Sequence, residues 1–387
     1  MRAWIHRIDT LLPGFSFTQE DASRKMQEWS RDERERRLIR AVYRSSGIER
    51  RHSVIEDFDG DSLASFFRAG PDGDLKGPGT AARNDLFASE SRSLSVALAR
   101  KVLDNCPGFD AGDVTHVITV SCTGFCNPGP DYHIVRDLGM SPDTQRYHLG
   151  FMGCYAAFPA LRMAAQFCEA APGAVVLVLC LELCSLHLQL TGTEDTILAN
   201  SLFSDGAGAA VVSARAPSSG NGVFRIEGFR STLVPEGEQE MAWRIGDHGF
   251  DISLTSYVPK IIGAKLRDFV EPSLALGGMA IGDVDLWAVH PGGKSILDQV
   301  KRCLDLRAEQ MQASREVLRR FGNMSSASIL FVLEEIVKQR AGDEEEKVCA
   351  IAFGPGLTVE MALLASLGSP SGEWPGTKGG ERAAVAI

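Results

Sequence analysis

DVTHVITVSCTG, residues Asp113–Gly124, is answered in the second half of the chain by DVDLWAVHPGG, residues Asp283–Gly293. Each begins Asp-Val, runs through apolar residues that read as a buried strand, and ends in a polar turn with glycine. One echo alone would mean little, but two more follow in the same order. GCYAAFPALRMA (Gly153–Ala164) pairs with GNMSSASILFVL (Gly322–Leu333): glycine, a polar functional residue, small residues, then an apolar helix. SDGAGAAVV (Ser204–Val212) pairs with AFGPGLTVEMALL (Ala352–Leu364). Three matched pairs in one order indicate an internal duplication. Strands alternating with helices in both copies indicate layered α/β architecture. We divide the chain into an N-terminal half, 1–222, a C-terminal half, 223–368, and a tail, 369–387. APSSGNGV, Ala216–Val223, has linker composition, and the Gly- and Pro-rich tail is expected to be mobile.

Around this frame, Gln19–Ser45 reads as one charged amphipathic helix, and Ser89–Cys106 as a helix opened by a capping serine. Gly173–Leu183 and Gly206–Arg215 read as buried strands. The 387 residues exceed what one core serves, while 44% hydrophobic and 23% charged residues are ordinary for a globular protein. A net charge of -10 argues against nucleic acid as a partner but leaves room for a local basic patch. The longest apolar run, Ala174–Leu181, stops at Glu182, too short for a membrane span, and the first residues show no secretory signal. Nine scattered cysteines suit a reducing cytoplasm better than a disulfide framework. Cys122/Cys126 and Cys180/Cys184 lack the further ligands of a zinc site, so no metal is expected.

The duplication sets Cys154 and Asn323 at matching helix starts, with His290 just past a matching strand end. A helix N-terminus carries partial positive charge and free N–H groups, which lowers a thiol's pKa. A neighbouring imidazole lowers it further, and an amide beside that imidazole can donate to a developing oxyanion. Taken singly, the three residues read as core filler, a turn residue and a helix cap. At duplicated positions they read as machinery for acyl transfer through a thioester.

The motifs GFMGCYAAFPALRMA, LFSDGAGAAVV, WAVHPGGKSIL, FGNMSSASILFVL and AFGPGLTVE resemble, in order, those of the type III polyketide synthases, the chalcone-synthase-like enzymes. The resemblance spans about Ile39 to Leu367. It implies the thiolase-like fold, two related halves forming a five-layered αβαβα core, and a homodimer. It implies an acyltransferase that needs no cofactor beyond coenzyme A thioesters as substrates and no carrier protein. Cys154 would hold the growing chain, loaded from an acyl-CoA starter. His290 would pair with its thiolate and, with Asn323, stabilise the enolate formed when malonyl-CoA loses carbon dioxide. Phe203 matches an aromatic wall between the coenzyme A tunnel and the cavity. Gly354, Pro355 and Gly356 match a cavity-shaping loop. Arg37, Arg40 and Arg44 match the spacing of basic coenzyme A contacts, and guanidinium groups suit phosphates.

Departures from the plant pattern bear on substrate. Ile252 stands where a second aromatic gate is common. Cys122, Cys184 and His187 stand at pocket positions that are threonine in plant enzymes. Asn127 stands where a plant methionine reaches into the partner's pocket. An aliphatic starter and an alkylpyrone or alkylresorcinol product are therefore expected. A 3-oxoacyl-carrier-protein synthase of the fatty-acid initiation type shares the Cys, His, Asn set, but usually follows its histidine with Gln-Ala-Asn rather than Pro291-Gly292-Gly293. A thiolase would need a second cysteine in the AFGPG loop, and a papain-like protease a glutamine near His148.

Overall fold

Alternation along the central strands is what stacks the layers. The computed structural model describes residues 3–30, 32–58, 66–67, 77–217, 224–340 and 344–367. In chain order the first half holds β1 (Trp4–Leu11), β2 (Phe15–Thr18), α1 (Gln19–Trp29), α2 (Glu33–Ser45), β3 (Arg50–Ser53), α3 (Thr80–Asp104) and β4 (His116–Ser121). It continues with α4 (Pro130–Asp137), β5 (Gln145–Gly150), α5 (Ala157–Ala170), β6 (Val175–Leu183), α6 (Glu194–Leu202) and β7 (Asp205–Ser213). The second half holds β8 (Phe224–Leu233), the hairpin β9 (Met241–Gly246) and β10 (Gly249–Leu254), α7 (Val258–Ala275) and β11 (Leu286–Val289). It closes with α8 (Lys294–Cys303), α9 (Gln312–Phe321), α10 (Ser328–Gln339), β12 (Glu346–Gly354) and β13 (Thr358–Ser366).

The duplication survives in the topology. The order β4-β6-β7-β1 in the first half is repeated as β11-β12-β13-β8 in the second. Pairing matches as well: β4/β6 and β11/β12 are parallel, while β6/β7 and β12/β13 are antiparallel. The first half adds β5 at its outer edge, and two residue pairs between β1 and β8 join the sets.

Side chains of one parity point inward. Val176, Val178 and Cys180 of β6, with Val348, Ala350 and Ala352 of β12, meet the buried faces of α5 and α10 in a central core. Those of the other parity, Val175, Leu177 and Leu179, pack on α3 and on residues from α1 and α2. On the opposite side Cys349 and Ile351 pack on α7 and α8. This period-two division gives helix, sheet, helix, sheet, helix: the five layers of the thiolase-like fold.

Local structure differs from the sequence reading in three places. The single helix expected over Gln19–Ser45 is two helices. Ser30 ends the first, its N–H bonding Gln27 O, and Asp32 caps the second by accepting from the Glu35 N–H at 2.8 Å. The third helix starts at Thr80, so Ser89 lies inside it rather than capping it. Its N-terminus is held by the β9–β10 hairpin: Thr80 N–H donates to Asp247 O at 2.9 Å, and Gly249 N–H to the Thr80 hydroxyl at 2.8 Å. Thirdly, the residues expected at matching helix starts stand ahead of their helices, Cys154 a turn before α5 and Asn323 a turn before α10. Most of the linker, 218–223, and the tail lie outside the described residues.

Candidate active site

The approach to Cys154 is set by backbone. Gly153 takes φ 87°, which disfavours any side chain, and the Pro355 ring fills the space a Cβ would need. A tight turn follows, with Ala156 N–H donating to Gly153 O at 3.1 Å, before α5 begins at Ala157. The thiol faces a cavity of about 450 Å³ lined by residues of both halves. Ser325 Oγ donates to Cys154 Sγ at 3.5 Å. Burial pushes the thiol up to about 12, with the Ser325 bond pulling the other way. The sequence reading expected a lowered pKa at a helix start. Removal from water outweighs that influence here.

His290 and Asn323 line the same cavity. His290 follows β11, its N–H tied to Ile351 O at 2.8 Å. Among the described residues neither of its ring nitrogens has a hydrogen-bond partner, although the side chain is buried. Burial lowers its pKa to about 3, so the imidazole is neutral. Asn323 is fixed by backbone, pairing with Phe203 in a short parallel bridge. Its Oδ1 accepts from Ser325 N–H at 2.9 Å, which turns Nδ2 toward Gly292 O at 3.4 Å, next to His290.

Behind the thiol lies a group the sequence reading passed over. Glu182, fully buried at the end of β6, accepts from Cys122 N–H at 3.0 Å, Thr123 Oγ1 at 3.0 Å and Ser121 Oγ at 3.3 Å. Ser326 Oγ and Cys122 Sγ donate to it as well. Cys122 Sγ also meets Ser325 Oγ at 3.2 Å, so one hydroxyl touches the thiols of both Cys122 and Cys154. Burial raises the Glu182 pKa, and its donors oppose that. The available signal was a carboxylate inside an otherwise apolar strand, VVLVLCLEL.

The other expected residues divide. Phe203, Ile252, Cys122, Cys184 and Pro355 line the main cavity. Gly354 and Gly356 do not; Gly354 packs against Tyr155, and Gly356 allows the loop its φ of 71°. His187 lines a separate cavity of about 90 Å³, because its ring is drawn away from the main one by stacking on Phe250. Trp243, also missed, lines both cavities. Arg37, Arg40 and Arg44 lie exposed on α2, whose last turn brings Val42 and Ser45 to the cavity mouth beside Lys294 and Ser295. Arg40 bonds Gln27 and approaches Glu33, whereas Arg37 and Arg44 have no ion-pair partner among the described residues. No group of three or more metal-ligating side chains occurs among the described residues, and no helix there is long and apolar enough to cross a membrane.

A half-buried thiol, an imidazole with no hydrogen-bond partner among the described residues and an oriented amide, lining one cavity where two thiolase-like halves meet, suit a condensing acyltransferase. Comparison with known proteins narrows the class. Residues 73–216 match the chalcone and stilbene synthases' N-terminal domain, and residues 226–368 match their C-terminal domain. The alpha-pyrone synthesis polyketide synthase-like Pks18 of Mycobacterium tuberculosis is 33% identical over 366 residues, 94% of this chain and 91% of that one. Bisdemethoxycurcumin synthase of Oryza sativa is 36% identical over 304 residues, 75% of each. The crystal structure of PKS-I from the brown alga Ectocarpus siliculosus superposes with a TM-score of 0.87 at 27% identity, covering 95% of this chain and 98% of that one. The chain belongs to the chalcone and stilbene synthase family, the type III polyketide synthases.

Proposed function

We propose that the protein loads an aliphatic acyl group from coenzyme A onto Cys154 and extends it with malonyl-CoA to an alkylpyrone or alkylresorcinol. The observation that carries this reading is the convergence of Cys154, His290 and Asn323 on one largely apolar cavity. In the loading step the thiol proton passes to His290 and the sulfur attacks the thioester carbonyl. The new C–S bond forms as the bond to coenzyme A breaks, and the coenzyme leaves as its thiol. Burial penalises either charge alone, but thiolate and imidazolium form as a pair whose mutual attraction offsets part of that cost.

Malonyl-CoA then loses carbon dioxide. The electron pair left on carbon delocalises onto the thioester oxygen, where His290 and the Asn323 amide donate hydrogen bonds. The enolate carbon attacks the acyl group on Cys154, a C–C bond forms, and the thiolate is released. The lengthened chain sits on coenzyme A, ready to return to Cys154. The free nitrogens of His290 and the apolar walls that exclude water support both steps. Arg37, Arg40 and Arg44 would hold the coenzyme's phosphates outside the mouth. Phe203 would screen the reacting centre, and Pro355 would close the wall behind Cys154.

Ile252, in place of an aromatic gate, and the apolar lining support an aliphatic starter. A homodimer is supported by the open edge of β5 and by the exposed Phe125 and Tyr132. Asn127 would lie on that dimer face. Nine unpaired cysteines support a cytoplasmic location. The test is incubation of the purified protein with malonyl-CoA and acetyl-, hexanoyl-, long-chain or aromatic acyl-CoA, without carrier protein, read by mass spectrometry. Pyrones or resorcinols from aliphatic starters are expected. Activity only with carrier-bound malonyl would overturn the reading, and light scattering at monomer mass would overturn the dimer.

A further inference from the structure

The β9–β10 hairpin forms a two-stranded sheet of its own. Among the described residues no strand of the nine-stranded sheet pairs with it, yet Met241, Trp243, Ile252 and Leu254 from it line the main cavity. Trp243 and Ile252 are cross-strand partners. Together with Cys184 and Phe203 they line the 90 Å³ cavity too, so these four side chains are the partition between the two spaces. What sets the far wall of the main cavity is therefore whatever holds the hairpin in place.

His187 is placed to do that. Its ring stacks on Phe250 at 4.0 Å between centroids and 8° between planes. Its Nε2 donates to Thr123 O at 2.6 Å, and its Nδ1 accepts from Phe250 N–H at 3.1 Å. The two bonds demand one neutral tautomer, and burial keeps the ring neutral, its pKa lowered to about 4. Phe250 in turn packs edge-on against Trp243 at 5.9 Å, and the Trp243 indole N–H donates to Cys122 O at 2.8 Å. Thr123 and Cys122 are consecutive, so both pins anchor the hairpin to the same turn after β4.

We infer that His187 is a positioning residue: acting through Phe250 and Trp243, it fixes the partition between the two cavities and so sets the longest acyl chain the enzyme accepts. Its imidazole does not touch the acyl chain in the main cavity. The inference rests on the acyl-starter reading above for its functional consequence, though not for its structural one.

The test compares wild type, His187→Ala, Trp243→Ala and the double variant on saturated acyl-CoA starters of increasing length. The readout is kcat/KM for a long starter divided by that for a short one. Trp243→Ala should join the cavities and raise this ratio about tenfold or more, the scale a pocket wall exerts per methylene. His187→Ala should raise it in the same direction, and the double variant should add nothing to Trp243→Ala. An unchanged ratio in His187→Ala, or effects that multiply in the double variant, would overturn the inference. A structural readout stands apart from activity. With 5-fluorotryptophan incorporated, the Trp243 fluorine signal, assigned through Trp243→Phe, should shift and broaden in His187→Ala while the other tryptophan signals stay fixed. A sharp, unmoved signal would overturn the inference even if wild type made no polyketide. Should His187→Ala not fold, Phe250→Leu removes the same stack from the other side and must give the same two results.

Discussion

The two halves of the molecule share a frame and use it in opposite ways. At the end of β6 the first half buries Glu182, whose carboxylate is filled by donors from Ser121, Cys122, Thr123 and Ser326. The second half has Phe353 near the end of its matching strand, β12, and places its polar side chain, His290, after the neighbouring strand β11, with neither ring nitrogen bonded among the described residues. A buried polar group that is fully bonded rigidifies its surroundings. One left unbonded costs stability, and is retained where it must meet something that arrives later. On the proposed function, the difference separates a structural polar group from a reactive one on physical grounds, without reference to any relative.

Substitutions can break this contrast. The largest expected effect is on catalysis from the second half. His290→Ala and Asn323→Ala should each slow malonyl-CoA decarboxylation about 10²- to 10³-fold, the usual loss for a single oxyanion donor. Carbon dioxide release measures this, and denaturant midpoints should change little. Glu182→Ala should reverse the pattern by leaving its buried donors unbonded. A stability loss of about 1–3 kcal/mol or more is expected, read from urea unfolding. If Glu182→Ala leaves stability intact while His290→Ala unfolds the protein, the contrast is wrong.

Smaller effects lie at the rim. Alanine at Arg37, Arg40 and Arg44 together should raise the KM for malonyl-CoA several-fold and weaken its salt dependence, with kcat nearly unchanged. An unaltered KM would return these residues to the solvated face of α2. The smallest effect concerns pH. His6 and His187 are lowered to about 4 and His290 to about 3, each chiefly by burial. Below about pH 6.5 the unfolded chain takes up protons that these folded histidines refuse, so stability falls as pH drops toward 4. Asp205, raised to about 6 by burial, acts in the opposite direction as it protonates, as do Glu90, Glu182 and Glu360, also raised by burial. Burial lowers His116, His133 and His148 as well, so six histidines stand against four carboxylates, and the melting temperature at pH 5 should still lie below that at pH 7. A rise on acidification would contradict these burial effects.

Much of this was legible because the duplication repeats a pattern the eye can check. Strands alternating with helices in both copies marked the layers, and the matched glycine turns marked Cys154, His290 and Asn323. What escaped notice depends on three-dimensional neighbours. The break at Ser30–Asp32 hides in a run of charges, since a capping aspartate looks like any other acidic residue there. The thiol's raised pKa follows from the cavity that encloses it rather than from its place before a helix. Trp243 lies more than 50 residues from Cys184 and shares a wall with it only because the hairpin folds back over the turn after β4. Glu182 was visible, but only as the residue that ended an apolar run.

The most direct test is intact-protein and peptide mass spectrometry after incubation with hexanoyl-CoA alone, in wild type and Cys154→Ala. A single hexanoyl adduct mapping to the peptide that carries Cys154, absent from the variant, is the expected result. An adduct on Cys122 or Cys184 instead, or one that persists in Cys154→Ala, would contradict the assignment of the nucleophile.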